Sequence, residues 1–409
     1  MSEWKVSSLK EFIKVSSGEG LPDSKMNPGQ HPVYGGNGIM GFHNEFLFKE
    51  PRLIIGRVGA LCGNVHITQN NSWITDNALI VSFLNSNEDV IFWYYILSNI
   101  NLREYAFQSA QPVITGGIVE KIKINIPVST SERGYIAHIL ITCDTVIKQT
   151  QSAIAKYKAI KQGLLHDLFT RGLDANGHLR PSYQVAPELY KESDLGMIPK
   201  EWEVKRFGDF VHLIHGFQFR DYDFTENGIP IVKIGQIKPE NVDLSNCSFI
   251  SKDRIDEFRS ITIRNGDVLM ALTGATLGKA CQVKKLKNDV LQNYRVGRFE
   301  PKNLDEIHKG FLYYTLTTRQ FLNQVFSKVN AGAQGNIGKS DFEKPLFKLP
   351  DINEQRRIFV RLESLNHKLE SEETLLQKYQ SIKRGLMGDL LGGRKTVGER
   401  GDAITVRHA

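Results

Sequence analysis

Two glycine-rich stretches are the first places in this 409-residue chain where residue type and spacing could do chemistry. Gly36-Asn37-Gly38-Ile39-Met40-Gly41 fits the G-x-G-x-x-G spacing that lays a backbone against a dinucleotide pyrophosphate. That chemistry also needs a helix N-terminus directly behind the glycines, and Phe42-His43-Asn44-Glu45-Phe46 has no helical pattern. Gly274-Ala275-Thr276-Leu277-Gly278-Lys279-Ala280 is one residue short of a P-loop, with Ala280 where a magnesium-binding hydroxyl belongs. Both stretches are read instead as tight turns between strands. Asp341-Phe342-Glu343-Lys344 groups acidic and basic side chains but lacks the separate upstream aspartate of a nuclease metal site. The chain contains no Pro-Pro, so the Asn/Asp-Pro-Pro-aromatic tetrad that holds a flipped adenine is missing. Its 11 histidines form no H-x-x-x-H or H-E-x-x-H pair, and Cys62, Cys143, Cys247 and Cys281 no C-x-x-C pair. The cysteines are read as small buried apolar residues. The expectation is a chain with no catalytic residues, no metal and no cofactor of its own.

What must position such turns is visible as a duplication. Lys156 to Leu168 (KYKAIKQGLLHDL) and Lys378 to Leu390 (KYQSIKRGLMGDL) share 8 of 13 positions at an offset of 222. Glu132 to Leu140 aligns with Glu354 to Leu362 at the same offset, shortly after Pro127 and Pro350. Ala110 to Ile114 matches Ala333 to Ile337 at offset 223, and Ile55 to Gly63 resembles Met270 to Gly278 at offset 215. Glu3-Trp4-Lys5-Val6 resembles Glu201-Trp202-Glu203-Val204 at offset 198. The order is module, helix, linker, module, helix.

Each repeated helix carries a strict alternation of four and three. In the first the seam is Ile136, Leu140, Cys143, Ile147, Thr150, Ile154, Tyr157, Lys161, Leu164 and Leu168. In the second it is Ile358, Leu362, Leu365, Leu369, Glu372, Leu376, Tyr379, Lys383, Leu386 and Leu390, in the same register. A seven-residue repeat sustained this long predicts a supercoiled pair. One such helix alone would suit dimerisation of two chains, whereas two in one chain can cover each other. The linker from Arg171 to Lys200 predicts an antiparallel pair in a dumbbell with a pseudo-two-fold axis; 30 extended residues could also span the helix and leave it parallel.

Within the modules, RLIIGRV, GNVHITQ and ITDNALIVSF read as strands before a helix over Glu88 to Tyr105. IPIVKIGQI, DVLMAL, KACQVKK and YRVGRFEP precede a helix near Lys309 to Val329. The aromatic runs on both helices are read as core. Composition is that of a soluble protein, 41% hydrophobic and 24% charged, and a net charge of +7 with a pI near 9.0 suits a polyanionic partner. No run of 18 apolar residues and no signal-peptide pattern at the N-terminus is present, which predicts a cytoplasmic protein.

These residues resemble a known family, the specificity subunits of type I restriction-modification systems, over residues 1 to 392. The resemblance is carried by Met197-Ile198-Pro199-Lys200-Glu201-Trp202-Glu203-Val204 and by Tyr34-Gly35-Gly36-Asn37-Gly38-Ile39-Met40-Gly41-Phe42. The repeated Ile-Pro or Leu-Pro followed by glutamate, and the two K-Y-x-x-I-K-x-G-L-x-x-D-L helices, complete it. It implies an α+β fold with target recognition domains at 1–129 and 201–351, and spacer helices at 130–170 and 352–392. A linker would occupy 171–200 and a tail 393–409, flexible or packed near the first module. Each domain would read half of a split double-stranded DNA site, and the helices would set the gap and dock two methyltransferase subunits. Restriction subunits would join to make an ATP-dependent nuclease, so that S-adenosylmethionine, ATP and magnesium belong to those partners. Candidate DNA-contacting residues are polar or basic residues in turns: Tyr34, His43, Arg57 and Gln111 in the first module. In the second they are Arg220, Lys279, Arg298 and Gln334, with Lys284, Lys285 and Lys287 as phosphate contacts. The rival readings are a self-contained DNA methyltransferase with an unfamiliar site and a twin-headed coiled-coil scaffold that binds no DNA.

Overall fold

The computed structural model describes residues 3–107, 110–239, 241–327, 337–397 and 404–406. Its first half runs β1 (Trp4–Ser8), β2 (Ile13–Ser17), β3 (His31–Gly35), β4 (Gly38–His43), β5 (Leu53–Gly56), β6 (Val65–Ile67), β7 (Trp73–Ile74), β8 (Ala78–Phe83), α1 (Val90–Asn99), α2 (Gly116–Lys121), β9 (Lys123–Pro127) and the 39-residue α3 (Thr130–Leu168). The second half opens on β10 (Tyr190–Lys191), β11 (Ile198–Pro199), β12 (Glu203–Arg206), α4 (Phe207–Phe210) and β13 (Val211–His215). It continues through β14 (Ile229–Val232), β15 (Ser248–Ile250), β16 (Thr262–Ile263), β17 (Val268–Ala271), β18 (Ala280–Gln282), β19 (Val290–Gln292) and β20 (Val296–Pro301). It closes with α5 (Lys309–Thr317), α6 (Arg319–Phe326), α7 (Lys339–Glu343), β21 (Leu346–Leu349), the 35-residue α8 (Ile352–Leu386), β22 (Lys395–Val397) and β23 (Ile404–Val406). The chain forms two compact units, 1–153 with 372–409, and 154–371. The fold is α+β, each mixed module being followed by a long helix.

In the first unit, β1 pairs antiparallel with β9, and two sheets of order β2-β8-β5-β6 and β4-β3-β7 complete the module. Every residue of β5 is buried, because Leu53 and Ile55 enter the main core while Ile54 enters a second cluster with Tyr34 and Ile74. Such a strand reads as a continuous apolar run without alternation. Asp89 caps α1, its Oδ1 accepting from the amides of Ile91 and Phe92 at 2.8 and 3.2 Å. The aromatic run of α1 packs Phe92, Trp93 and Tyr95 into one core with Ile136 and Leu140 of α3. Arg133, buried at the start of α3, forks onto Glu88 at 2.8 and 2.9 Å, and Glu88 also accepts from Trp93 Nε1.

In the second unit, β12 pairs with β21, beside sheets of order β13-β20-β17-β18 and β15-β14-β19-β16. The helix expected over Lys309 to Val329 is broken: Thr318 is extended (φ −71°, ψ 138°) and its hydroxyl accepts from the Phe321 amide to start α6. A threonine hydroxyl that can satisfy an amide itself offers the backbone an alternative to continuing the helix. Residues 328 and 329 lie outside the described residues. The linker is ordered against this module, Glu354 accepting from the Leu173 amide at 2.7 Å and from Arg180 at 2.6 and 3.1 Å.

The two long helices meet inside both units. In the first, Lys383 donates to Asp144 at 2.6 Å, and Leu386 and Leu390 join the core of Ile136 and Leu140. In the second, Lys368 lies 4.8 Å from the Tyr157 ring, and Leu164 and Leu168 share a core with Ile358 and Leu362. As α3 advances from 144 through 157 to 168, its partner on α8 recedes from 383 through 368 to about 360, so the helices are antiparallel. All twenty seam residues named from the sequence are buried or half-buried. The segment from Gly393, expected as a tail either flexible or packed near the first module, carries β22 paired with β23, and Arg394 and Lys395 both reach Asp389. Residues 398–403 and 407–409 lie outside the described residues.

Leu140→Ala and Leu362→Ala, each at fully buried positions, should each cost about 3 kcal/mol in urea unfolding, while Ile160→Ala on the exposed face stays within about 0.5 kcal/mol. Lys348 is 8% exposed, and burial pushes its pKa below the usual lysine value. A folded-state pKa below the unfolded one means the charge opposes folding at neutral pH, and stability rises as pH climbs through the lowered value. Lys348→Met should therefore raise the melting temperature at pH 7, with the advantage shrinking at alkaline pH.

Candidate nucleic-acid interface

The turn between β5 and β6 and the turn between β17 and β18 are the two glycine-rich loops at offset 215, and they have one backbone conformation. Gly59 and Gly63 have φ of 84° and 90°, and Gly274 and Gly278 have 73° and 80°, which only glycine adopts without strain. Gly63 N donates to Gly56 O and Gly278 N to Ala271 O, at 2.8 and 2.9 Å. Cys62 N donates to Gly59 O and Leu277 N to Gly274 O, each at 3.0 Å. A strap lies beside the first loop, where Ile114 N donates to Arg57 O at 2.9 Å; beside the second, Ile337 N donates to Leu272 O at 3.0 Å. Gln111 sits exposed on the first strap; Gln334, its counterpart, lies outside the described residues.

The remaining candidates separate by what already holds them. Tyr34 and His43 are 4% exposed and cannot meet a base edge. Tyr34 lies in the second cluster, its phenol oxygen accepting from the Gln69 amide at 3.0 Å. His43 packs edge-on to Trp73, with Nδ1 accepting from the Asn27 amide at 3.1 Å. Arg298 is likewise a structural brace, donating to the carbonyls of Thr262 and Ser260 at 2.7 and 2.9 Å and facing Asp267 at 3.8 Å. Lys284 is spent on Glu363 at 2.8 Å. Burial pushes the Glu363 carboxyl up, but hydrogen bonds from Lys284, Tyr314 and Asn366 outweigh it and leave its pKa below the ordinary value. Arg57 is half-buried and its guanidinium donates to neutral oxygens, Ser17 Oγ at 3.1 Å and Asp76 O at 3.3 Å. Arg220, Lys279, Lys285 and Lys287 are exposed.

The structure adds surface groups that sequence reasoning passed over. Tyr222 is 82% exposed two residues from Arg220, and Phe42 is 52% exposed on β4 beside Ile39 and Met40. An aromatic in a short strand or turn carries no sequence mark of which side it faces; only the sheet pairing decides. Among the described residues, no group of three or more His, Cys, Asp or Glu is placed to hold a metal ion. None of the described helices is long and apolar enough to cross a membrane.

Two α+β modules in one chain, each closed by a long helix and bearing the same glycine loop, define an internally duplicated protein. The chain belongs to the family of the type I restriction modification DNA specificity domain, which matches residues 1–156 and 199–380, one module with its helix in each match. Over 96% of its length the chain is 24% identical to 93% of the MjaVIII specificity subunit of Methanocaldococcus jannaschii. A 149-residue stretch, 35% of the chain, is 34% identical to 37% of the EcoprrI specificity subunit of Escherichia coli. The fold is that of the type I restriction-modification S subunit from M. genitalium, with a TM-score of 0.65 over 95% of this chain and 96% of that one at 17% identity.

If Arg298 braces β20 and Arg220 faces DNA, their alanine variants should differ in kind. Arg298→Ala should cost about 1–3 kcal/mol of stability by removing its charge-assisted hydrogen bonds to the Thr262 and Ser260 carbonyls, whereas Arg220→Ala should melt like the parent and bind DNA more weakly.

Proposed function

We propose that this chain is the DNA-reading subunit of a type I restriction-modification assembly. Each module takes one half of a split double-stranded site, and α3 with α8 sets the distance between the halves. Methyltransferase and restriction subunits docked on it supply the chemistry, and with it S-adenosylmethionine, ATP and magnesium. The observation that carries this reading is the double match of the DNA specificity domain in one chain, each copy followed by a helix of the same register. A net charge of +7 supports a polyanionic partner. At about 1.5 Å per residue, the 39 residues of α3 run about 58 Å, the scale of half-sites on a duplex repeating every 34–36 Å or so.

The test combines the chain with its methyltransferase subunits. The complex should bind DNA with an affinity that falls steeply as salt rises, and the chain alone should transfer no methyl group from S-adenosylmethionine. Methyl transfer by the lone chain would replace this reading with that of a self-contained enzyme, and salt-independent or absent binding would favour a scaffold. Mapping methylated adenines in DNA exposed to the complex should return a split sequence. Removing one heptad from both α3 and α8 shortens each by about 10 Å, so the gap should contract by about three base pairs. An unchanged gap defeats the assignment of the helices as a ruler.

A further inference from the structure

The two glycine loops share more than a fold requirement. Positive φ explains Gly59, Gly63, Gly274 and Gly278, but not the alanine at each tip, Ala60 and Ala275, both of which are exposed. Their amides donate no hydrogen bond to the described residues. A small exposed residue whose amide is unpaired among the described residues, at the same position of both loops, suits close approach of a ligand to the backbone. Each loop also carries one cation that pairs with no carboxylate among the described residues, at opposite ends of the turn: Arg57 entering the first, and Lys279 leaving the second. Neither 55–64 nor 270–279 contains an aspartate or glutamate.

We infer that these loops are phosphate grips, each holding the DNA backbone through the Ala60 or Ala275 amide and the adjacent Arg57 or Lys279, without reading a base. This rests on the chain binding DNA as proposed above. What two modules of different sequence keep in common must meet what is common to both half-sites, and that is the phosphate. The residues that differ between the modules, such as the region of Arg220 and Tyr222, are left to read the bases. A protein-docking surface would keep an apolar centre instead. Leu61, 41% exposed in the first loop, is replaced by Thr276 in the second, so apolarity is not what is kept.

The experiment uses the complex with its methyltransferase subunits, measuring affinity for target DNA and for scrambled DNA across a salt series. Ala60→Glu and Ala275→Glu should each weaken both DNAs by the same factor, on the order of tenfold, and Lys279→Gln should lower the slope of log affinity against log salt by about one. Ala275→Lys should tighten both DNAs, which no loss of folding could mimic. The methylated sequence should not change in any variant. Unchanged affinity and slope, a changed methylated sequence, or loss of methyltransferase subunits from the complex would each overturn the inference, the last by making the loops a protein-docking site. If the parent complex itself shows no salt-dependent binding, the proposed function fails; if the parent binds and the variants match it, only the phosphate grip fails.

Discussion

A 39-residue helix with a largely apolar seam draws most of its stability from what covers that seam, and the rest of this protein follows from how it is covered. Both ends of α3 are covered by α8 and by a module at once. At one end a single carboxylate ties the three together: Asp144 accepts from Tyr95 of α1 at 2.6 Å and from Lys383 of α8 at 2.6 Å. The module is thereby fused to the helix pair through packing and through charge-assisted hydrogen bonds, with only Val128 and Ser129 between β9 and α3. The module and this end of α3 are therefore held together by more than their two-residue connection.

A related joint recurs in the other unit, here between the module and α8. Tyr314, the counterpart of Tyr95, donates to Glu363 at 2.7 Å, and Lys284 from the β18–β19 connection supplies the cation at 2.8 Å. The position equivalent to Asp144 is Asn366, whose amide donates to both Tyr314 and Glu363. Burial raises the pKa of both tyrosines, so each phenol stays a donor across the physiological range. The duplication has preserved a buried phenol on a carboxylate while changing which residue bears the charge. Function is held by geometry here, and identity at any single position is a poor guide to it.

That explains which parts were legible in the sequence. The seams of α3 and α8 were, because a heptad is a local pattern that needs no knowledge of the partner. The glycine loops were visible as turns, since a positive φ is written directly in residue type. The fates of Tyr34, His43, Arg298 and Lys284 were not. Each is decided by groups distant in sequence: Gln69 for Tyr34, Thr262 and Ser260 for Arg298, Glu363 for Lys284. A basic residue in a turn looks the same whether it faces solvent or a carbonyl brought up by another strand. The break at Thr318 was hidden for a related reason, since the apolar periodicity of α5 and α6 continues across it while the backbone does not.

The first unit is assembled from both ends of the chain, with Leu390 and Leu391 lying in the same core as Leu9, Phe92 and Ile136. The second unit, 154–371, is continuous. Closing that core therefore brings together stretches that lie more than two hundred residues apart in the sequence. A chain whose translation stops early leaves the first module without part of its core.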